Sequence, residues 1–508
     1  MGLCEFASPV RLPLAARTMP IANLRILFVI AVLTVLRFAL AAVLPLSFDE
    51  SYFWLWSRHL AISYYDHPPM IAFAIRLGTL LFGDNEFGVR FIPLLASMAA
   101  SWAVWRSAAI LLRDGWVAAM ACCLFSATLM FAAESMGATP DSLVLAASAF
   151  LLWSIAKLED TKNGRWWLAA GLAVGVALFS KYTALFLVAS VVLWLIATVR
   201  GRAWLRTPWP YAGGILALAF FVPNLMWNAD HDWISFKFQF GRVVKGGVTL
   251  RYMGEFLASQ LALASPIILV LGAVGLARET RLFGAARPLS FAAAMVWPAL
   301  AYFMVHALHD RVQGNWPSFV YPAFCLLAAS PIALLSHNRH LEGFLRPSRK
   351  LALPVAICVL VIVYAQAFTG MMPLGDRDPI ERMTAIGITP VAQQIAAIAQ
   401  RNNDAAVVTT KYVMTGWLSF YIRPHLPILQ VSEDYRWLSS PRAGLDVLHK
   451  SLLYVTQHPD HELALVADHF SDISFVTVLN RSRNGVVIDK LFVYSLSGFR
   501  GNAVGRLP

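Results

Sequence analysis

The chain has 508 residues, 58% of them hydrophobic and 14% charged, with a mean hydropathy of +0.61. That composition excludes a soluble globular protein. The formal net charge of +12 does not point to nucleic acid, because the basic residues lie between apolar runs, where orientation rules for membrane proteins put them.

In chain order, residues 1–21 form a basic segment expected in the cytoplasm. Uninterrupted apolar runs follow, each about 18 residues or more, long enough to cross a hydrocarbon core of roughly 30 Å. Hydropathy places eleven spans at about 22–46, 88–112, 115–137, 142–157, 166–181, 183–199, 211–228, 252–276, 288–307, 317–335 and 351–370. The first run is too long for a signal peptide and is expected to remain as an anchor. With the N-terminus inside, the inward connections carry Arg113, Lys157, Lys162, Arg200, Arg202, Arg278 and Arg346, while the outward segments hold most of the Asp, His and Trp. That asymmetry fits the positive-inside rule. It requires the run Pro68 to Phe82 not to span; the run is short and carries Arg76 at its centre, which suits a helix lying in the interface. Residues 47–87 are therefore expected as an outward juxtamembrane loop. Of the five cysteines, Cys122, Cys123, Cys325 and Cys358 lie inside apolar runs, so no disulfide framework is implied.

Beyond residue 371 no run is apolar enough to span. An amphipathic helix is expected at 390–401, opening on Pro390, and short β-prone runs stand at 405–409, 427–431, 463–467, 473–479 and 491–496. The expected architecture is an all-α polytopic membrane domain over 22–370, followed by a small α/β domain over 371–508. The parity of eleven spans puts that domain outside the cytoplasm.

Ionisable groups near a membrane are costly, so their positions carry information. Phe48-Asp49-Glu50-Ser51-Tyr52-Phe53-Trp54 directly follows the first span. Taken singly, each polar feature has a plain explanation. Asp49 and Glu50 fit solvated loop carboxylates; Tyr64-Tyr65-Asp66-His67-Pro68-Pro69 fits a turn; Thr139-Pro140-Asp141-Ser142 fits a helix cap; Ser180-Lys181-Tyr182 fits a snorkelling lysine; Trp227-Asn228 and Asn315-Trp316-Pro317 fit interfacial aromatic belts. In the topology above, however, Asp49, Glu50, Asp66, His67, Asp141, Lys181, Asn228, Arg311 and Asn315 all fall near one membrane face. Cations there can hold a phosphate, and a carboxylate can accept a proton from an attacking hydroxyl.

At these residues the chain resembles the GT-C glycosyltransferases. Phe48 to Leu60, with Tyr65-Asp66-His67-Pro68-Pro69, looks like their first outward loop, and it is more closely similar to bacterial relatives of the protein O-mannosyltransferases and the lipid A aminoarabinose and galacturonic acid transferases (glycosyltransferase families 39 and 83). Gly83-Asp84-Asn85-Glu86-Phe87-Gly88-Val89-Arg90, Thr139-Pro140-Asp141, Ser180-Lys181-Tyr182, Pro223-Asn224-Leu225-Met226-Trp227-Asn228 and Gln313-Gly314-Asn315-Trp316-Pro317 extend the resemblance, in order, over about 22–330.

The resemblance implies a multispan enzyme of the bacterial inner membrane. It would take a sugar from a polyprenyl-phosphate donor at the extracytoplasmic face and pass it to a lipid, glycan or protein acceptor. The implied catalytic residues are Asp49, Glu50 and Asp141, and the implied donor-binding set is Arg58, Asp66, His67, Lys181, Tyr182, Asn228, Arg311 and Asn315. Where the aminoarabinose transferases carry Glu-Lys-Pro, this chain has Asp66-His67-Pro68, so Lys181 or Arg311 is left to supply the fixed charge. The resemblance leaves open a divalent metal ion, which Asp49 and Asp141 would share. A lipid or sugar transporter is the alternative, but transporters place ionisable groups near the midplane of repeated halves, and neither feature is seen here. A purely structural assembly protein would leave the ordered carboxylates without a purpose.

Overall fold

The computed structural model describes residues 21–241, 247–283, 287–333, 339–501 and 505–508. The expected cytoplasmic segment, 1–21, lies outside these residues except for its last position. The first part of the chain is helical: α1 (Ile21–Val43), α2 (Phe48–Arg58), α3 (Met70–Phe82), α4 (Glu86–Leu112), α5 (Gly115–Ala127), α6 (Leu129–Met136), α7 (Pro140–Thr161), α8 (Trp166–Leu178), α9 (Leu185–Ala197), α10 (Val199–Trp204), α11 (Trp209–Asp230), α12 (Ile234–Phe240), α13 (Arg251–Ala264), α14 (Pro266–Arg281), α15 (Ser290–His306), α16 (Tyr321–Ala333) and α17 (Arg339–Thr369).

Four of the described helices are long and apolar enough to cross a membrane by length and composition: 86–112, 140–161, 209–230 and 346–369. The count rises to six if each of two bent pairs forms one span. The expected single span at 115–137 is broken: α5 and α6 meet at 67°, where Thr128 adopts extended backbone and caps α6 by accepting from the Phe131 N–H. The expected span at 252–276 is also broken, with α13 and α14 meeting at 104° around Ser265, whose positive φ is followed by a proline at the start of α14. Shorter apolar helices of 10–17 residues make up most of the remainder. One is α3, which at about 1.5 Å per residue is too short to cross alone. It buries Ile71, Ala72, Ala74, Ile75 and Gly78, while Phe73, Leu77, Leu80 and Leu81 face outward. A helix apolar on both faces suits a lipid-bathed position. Its contact with α4 is made by glycines: a side chain at Gly78 would strike the Gly88 carbonyl. Close helix approach through small residues is the usual packing device inside membranes.

The C-terminal part contains α18 (Pro379–Met383), α19 (Ile388–Asn402), β1 (Val407–Thr409), α20 (Tyr412–Tyr421), β2 (Ile428–Gln430), α21 (Leu445–Leu448), β3 (Leu452–Thr456), α22 (Pro459–Ala467), β4 (Phe470–Arg483) and β5 (Val486–Phe499). The five strands form one mixed sheet in the order β2-β1-β3-β5-β4, with β1 parallel to β2 and β3 and with β5 antiparallel to β3 and β4. The amphipathic pattern at 390–401 is α19, which buries Val391, Ala392, Ile395, Ile398 and Ala399. The run at 463–467, expected as a strand, is instead the end of α22. Pro459 at the first helical position and acidic residues in the first turn favour a helix there. The central strand β3 is buried along its whole length, so it shows no alternation to betray it.

This part packs directly on the segment from Leu46 to Glu86. The Ala385 N–H donates to the Leu46 carbonyl at 2.8 Å, and the Tyr421 hydroxyl accepts from the Leu46 N–H and donates to Glu86. Phe420 and Trp437 enter one buried cluster with Tyr52, Phe53, Trp54 and Trp56 of α2. Burying each such aromatic contributes on the order of 1.5–3 kcal/mol, so loop and domain form one packed unit.

Candidate active site

Helix α2 carries the two first-loop carboxylates in different directions, about 100° apart around its axis. Its N-terminus is a capping box: the Ser47 hydroxyl accepts from the Glu50 N–H, and Glu50 accepts from the Ser47 N–H at 2.8 Å. The same Glu50 carboxylate takes a two-point bond from Arg90 of α4, at 2.6 and 2.8 Å, and accepts from the Ala138 N–H at 3.0 Å. Burial favours the protonated form, but Arg90 and these N–H donors outweigh it and hold the Glu50 carboxyl below its usual range. Glu50 was expected beside Asp49 in catalysis. In the structure its acceptor sites tie α2 to α4 and to the α6–α7 connection that leads into Asp141, the arrangement of a strut. Arg90 also donates to the carbonyls of Ala41, Leu44 and Pro45. Replacing Glu50 by Gln leaves that buried guanidinium uncompensated and is expected to destabilise the protein by about 3–5 kcal/mol. Thermal denaturation in detergent measures this, and an unchanged melting temperature would refute the strut assignment.

Asp49 faces a different way. It keeps part of its surface open and has no hydrogen-bond partner among the described residues. Burial of the carboxylate, then the charge of Asp66, push its pKa up to about 7; Lys181 pulls it down, and Asp141 and Glu50 push it up. A half-charged carboxylate at neutral pH is poised to take a proton.

Behind Asp49 lies a fully buried ion pair. Lys181 follows α8, and its Nζ donates to Asp141 Oδ2 at 2.5 Å; the two residues are 7% and 4% exposed. Pro140 starts α7 and sets Asp141 in its first turn. Asn315 Nδ2 also donates to Asp141 Oδ2, at 3.1 Å, and Ser318 Oγ stands 3.5 Å from Oδ1. Glu134 of α6 is buried beside this pair, accepts from the Thr139 hydroxyl at 3.1 Å, and lies within electrostatic reach of both Asp141 and Lys181. Glu134 escaped the sequence reading, although it is the lone acidic residue in the run 115–137.

Asp66 closes the cluster from the loop side. The Tyr52 hydroxyl donates to it at 2.6 Å, and Arg436 of the C-terminal domain donates to both its oxygens at 2.8 and 2.7 Å. Asp66 therefore neighbours Asp49 as an anchored charge. His67 is half-buried, with its ring 6.2 Å from that of Phe53.

The other expected donor residues are placed differently. Tyr182 and Asn228 belong to a buried network in which Asn224 Nδ2 donates to Ser63 Oγ at 2.7 Å and to the Tyr182 hydroxyl at 3.1 Å, and Asn228 donates to the same hydroxyl at 3.3 Å. Two residues expected in the donor set stand apart from the carboxylates. Arg58 is held by Asp84 at 3.1 Å and Thr79 at 2.8 Å, and Arg311 is 67% exposed at its side chain and lies 3.4 Å from Glu255. The cation held against Asp141 is Lys181. No group of three or more His, Cys, Asp or Glu among the described residues is arranged to hold a metal, and an ammonium already stands against Asp141. This donor set does not fit a resident divalent ion shared by Asp49 and Asp141.

The comparisons with known proteins agree with this architecture. The model of the dolichyl-phosphate-mannose-protein mannosyltransferase family matches residues 66–227, a stretch that contains Asp66, Asp141 and Lys181. Lipid A galacturonosyltransferase RgtD of Rhizobium johnstonii is 26% identical over 462 residues, covering 88% of this chain and 90% of that protein. ArnT from Cupriavidus metallidurans shares the fold with a TM-score of 0.63, both in its apo state (15% identity) and bound to undecaprenyl phosphate (16%); the match covers 94% of this chain and 98% of that chain in each case. The chain has the fold of these enzymes, and the matches together support a membrane glycosyltransferase of the GT-C type.

Proposed function

We propose that the protein transfers a sugar from a polyprenyl-phosphate donor to a hydroxyl of a membrane glycolipid of the lipid A class, at the extracytoplasmic face, by a single inverting displacement. One observation carries the reading: a partly exposed carboxylate with no hydrogen-bond partner among the described residues, Asp49, stands beside a buried fixed cation, Lys181. Asp49 takes the proton of the acceptor hydroxyl as its oxygen attacks the anomeric carbon. The bond from that carbon to the phosphate oxygen breaks, and the lipid phosphate leaves with the electron pair. Lys181 has three N–H donors and gives one to Asp141, so two remain for phosphate oxygens. Because the leaving group is already a good one, no strong general acid is required. The choice of acceptor is supported by the relative named for lipid A galacturonosyl transfer, and the donor class by the neighbouring fold that binds undecaprenyl phosphate. Sidedness is supported by the basic inward connections.

A water-soluble, short-chain prenyl-phosphate hexuronic acid donor tests function and sidedness together. Sealed right-side-out vesicles should transfer its sugar to lipid A with inverted anomeric configuration, and inside-out vesicles should do so only when permeabilised. Retained configuration would remove the single displacement, and the opposite sidedness would remove the topology. Lipid movement without sugar transfer would favour a flippase.

A further inference from the structure

Among the described residues of the C-terminal domain, Arg436 is the only arginine or lysine whose ion pair reaches a carboxylate of the membrane domain's first loop. It sits at the end of a short turn, Asp434 to Arg436, that is held in place from both sides. Trp437 is buried with its ring 5.1 Å from that of Tyr52, and Arg506 from the chain's end donates to Asp434 at 2.7 Å. From there the guanidinium lies 4.7 Å from the Tyr412 ring and donates to both oxygens of Asp66, which also accepts from Tyr52 one turn along α2 from Asp49. A neighbouring helix and a turn 370 residues away thus meet on one carboxylate.

We propose that Arg436 is a positioning residue for the transfer reaction: by clamping Asp66 against Tyr52 it fixes the charge beside Asp49 and makes the C-terminal domain part of the active site. The proposal rests on the reading of Asp49 as the base. Asp49 is faced by Asp66 from the loop, Asp141 from α7, Lys181 from beyond α8, Glu50 on its own helix and Tyr412 from α20, while Glu433 lies 3.6 Å from Arg436 itself. Asp49, Glu50, Asp66 and Asp141 are four carboxylates near one another, and the described cations against them are Lys181 on Asp141, Arg90 on Glu50 and Arg436 on Asp66. Asp66 is the largest charge contribution raising the Asp49 pKa towards 7. Without Arg436, the Asp66 charge would stand uncompensated beside Asp49 and hold the proton on Asp49 to higher pH, as a nearby like charge does.

The test is the pH dependence of turnover at saturating donor in purified, folded protein. Arg436→Gln should move the acid limb up by about one unit or more, Arg436→Lys should leave it near the wild-type position, and Asp66→Asn should move it down. The double variant Arg436→Gln/Asp66→Asn should lose the upward displacement. Uniformly slower transfer by Arg436→Gln with an unmoved limb would mean a packing role only and overturn the proposal. Should Arg436→Gln fail to fold, Asp66→Asn decides alone, and an acid limb that does not move down overturns it. Wild-type transfer by Asp49→Asn would instead overturn the reading of the base, a distinguishable failure.

Discussion

Asp49→Asn is expected to lower turnover by about 10²–10⁴-fold, the range that a positioned general base contributes, with expression and melting temperature unchanged. The reason for the second expectation is geometric. Asp49 makes no hydrogen bond among the described residues, so removing its charge breaks no structural link. Its burial beside Asp66 and Asp141 costs free energy when it is charged, so the neutral amide is expected to be tolerated. The pH dependence follows from the same geometry. Asp49 is raised to about 7 by burial and by Asp66, so the competent carboxylate predominates above that pH. Wild-type turnover should therefore fall as pH drops through about 7, approaching tenfold per unit. A flat profile down to pH 5, or near-wild-type transfer by the Asn variant, would remove Asp49 from the role of base.

The sequence made the helical membrane domain legible because apolar run length is dictated locally by the bilayer. Expected and observed helices agree within a few residues at 86–112, 140–161 and 209–230. The bends at Thr128 and Ser265 were not legible from hydropathy, because both flanks are apolar and a run of suitable composition says nothing of direction. Asp49, Asp141, Lys181 and Asn315, which the structure brings near one another, stood out in the sequence because they are polar groups at the ends of apolar runs. Glu50 was grouped with Asp49 for an equally physical reason: in sequence it is Asp49's neighbour, but on a helix successive residues point about 100° apart. Its capping-box pattern, Ser47 followed three residues later by Glu50, was the available signal for a structural role. Arg436 lies 370 residues from its partner Asp66, and no local pattern announces a contact made only when a domain docks.

Lys181→Met is expected to produce the second large effect, in two separable measurements. Donor affinity should fall by about 10–100-fold, since a phosphate loses a charge-assisted hydrogen bond worth roughly 1.5–3 kcal/mol. The acid limb should also move upward, because Lys181 is the cation that lowers the Asp49 pKa. The two effects have one physical source but different observables, and a defect of folding would produce neither pattern. Asp141→Asn is the informative counterpart. It removes the carboxylate that holds Nζ at 2.5 Å, while Asn315 and Ser318 stay near the amide. If Asp141 serves chiefly to orient the ammonium, the Asn variant should lose turnover through misplacement of the phosphate while retaining measurable donor binding, because the positive charge survives. If Lys181 were only a buried counterion with no contact to donor, Lys181→Met would damage stability, by about 3–5 kcal/mol for an unpaired buried charge, without a specific loss of donor affinity in the fraction that folds. Binding of a labelled prenyl phosphate to the folded, detergent-solubilised variants separates these cases, and equal affinity in wild type and Lys181→Met would take the lysine out of the donor site.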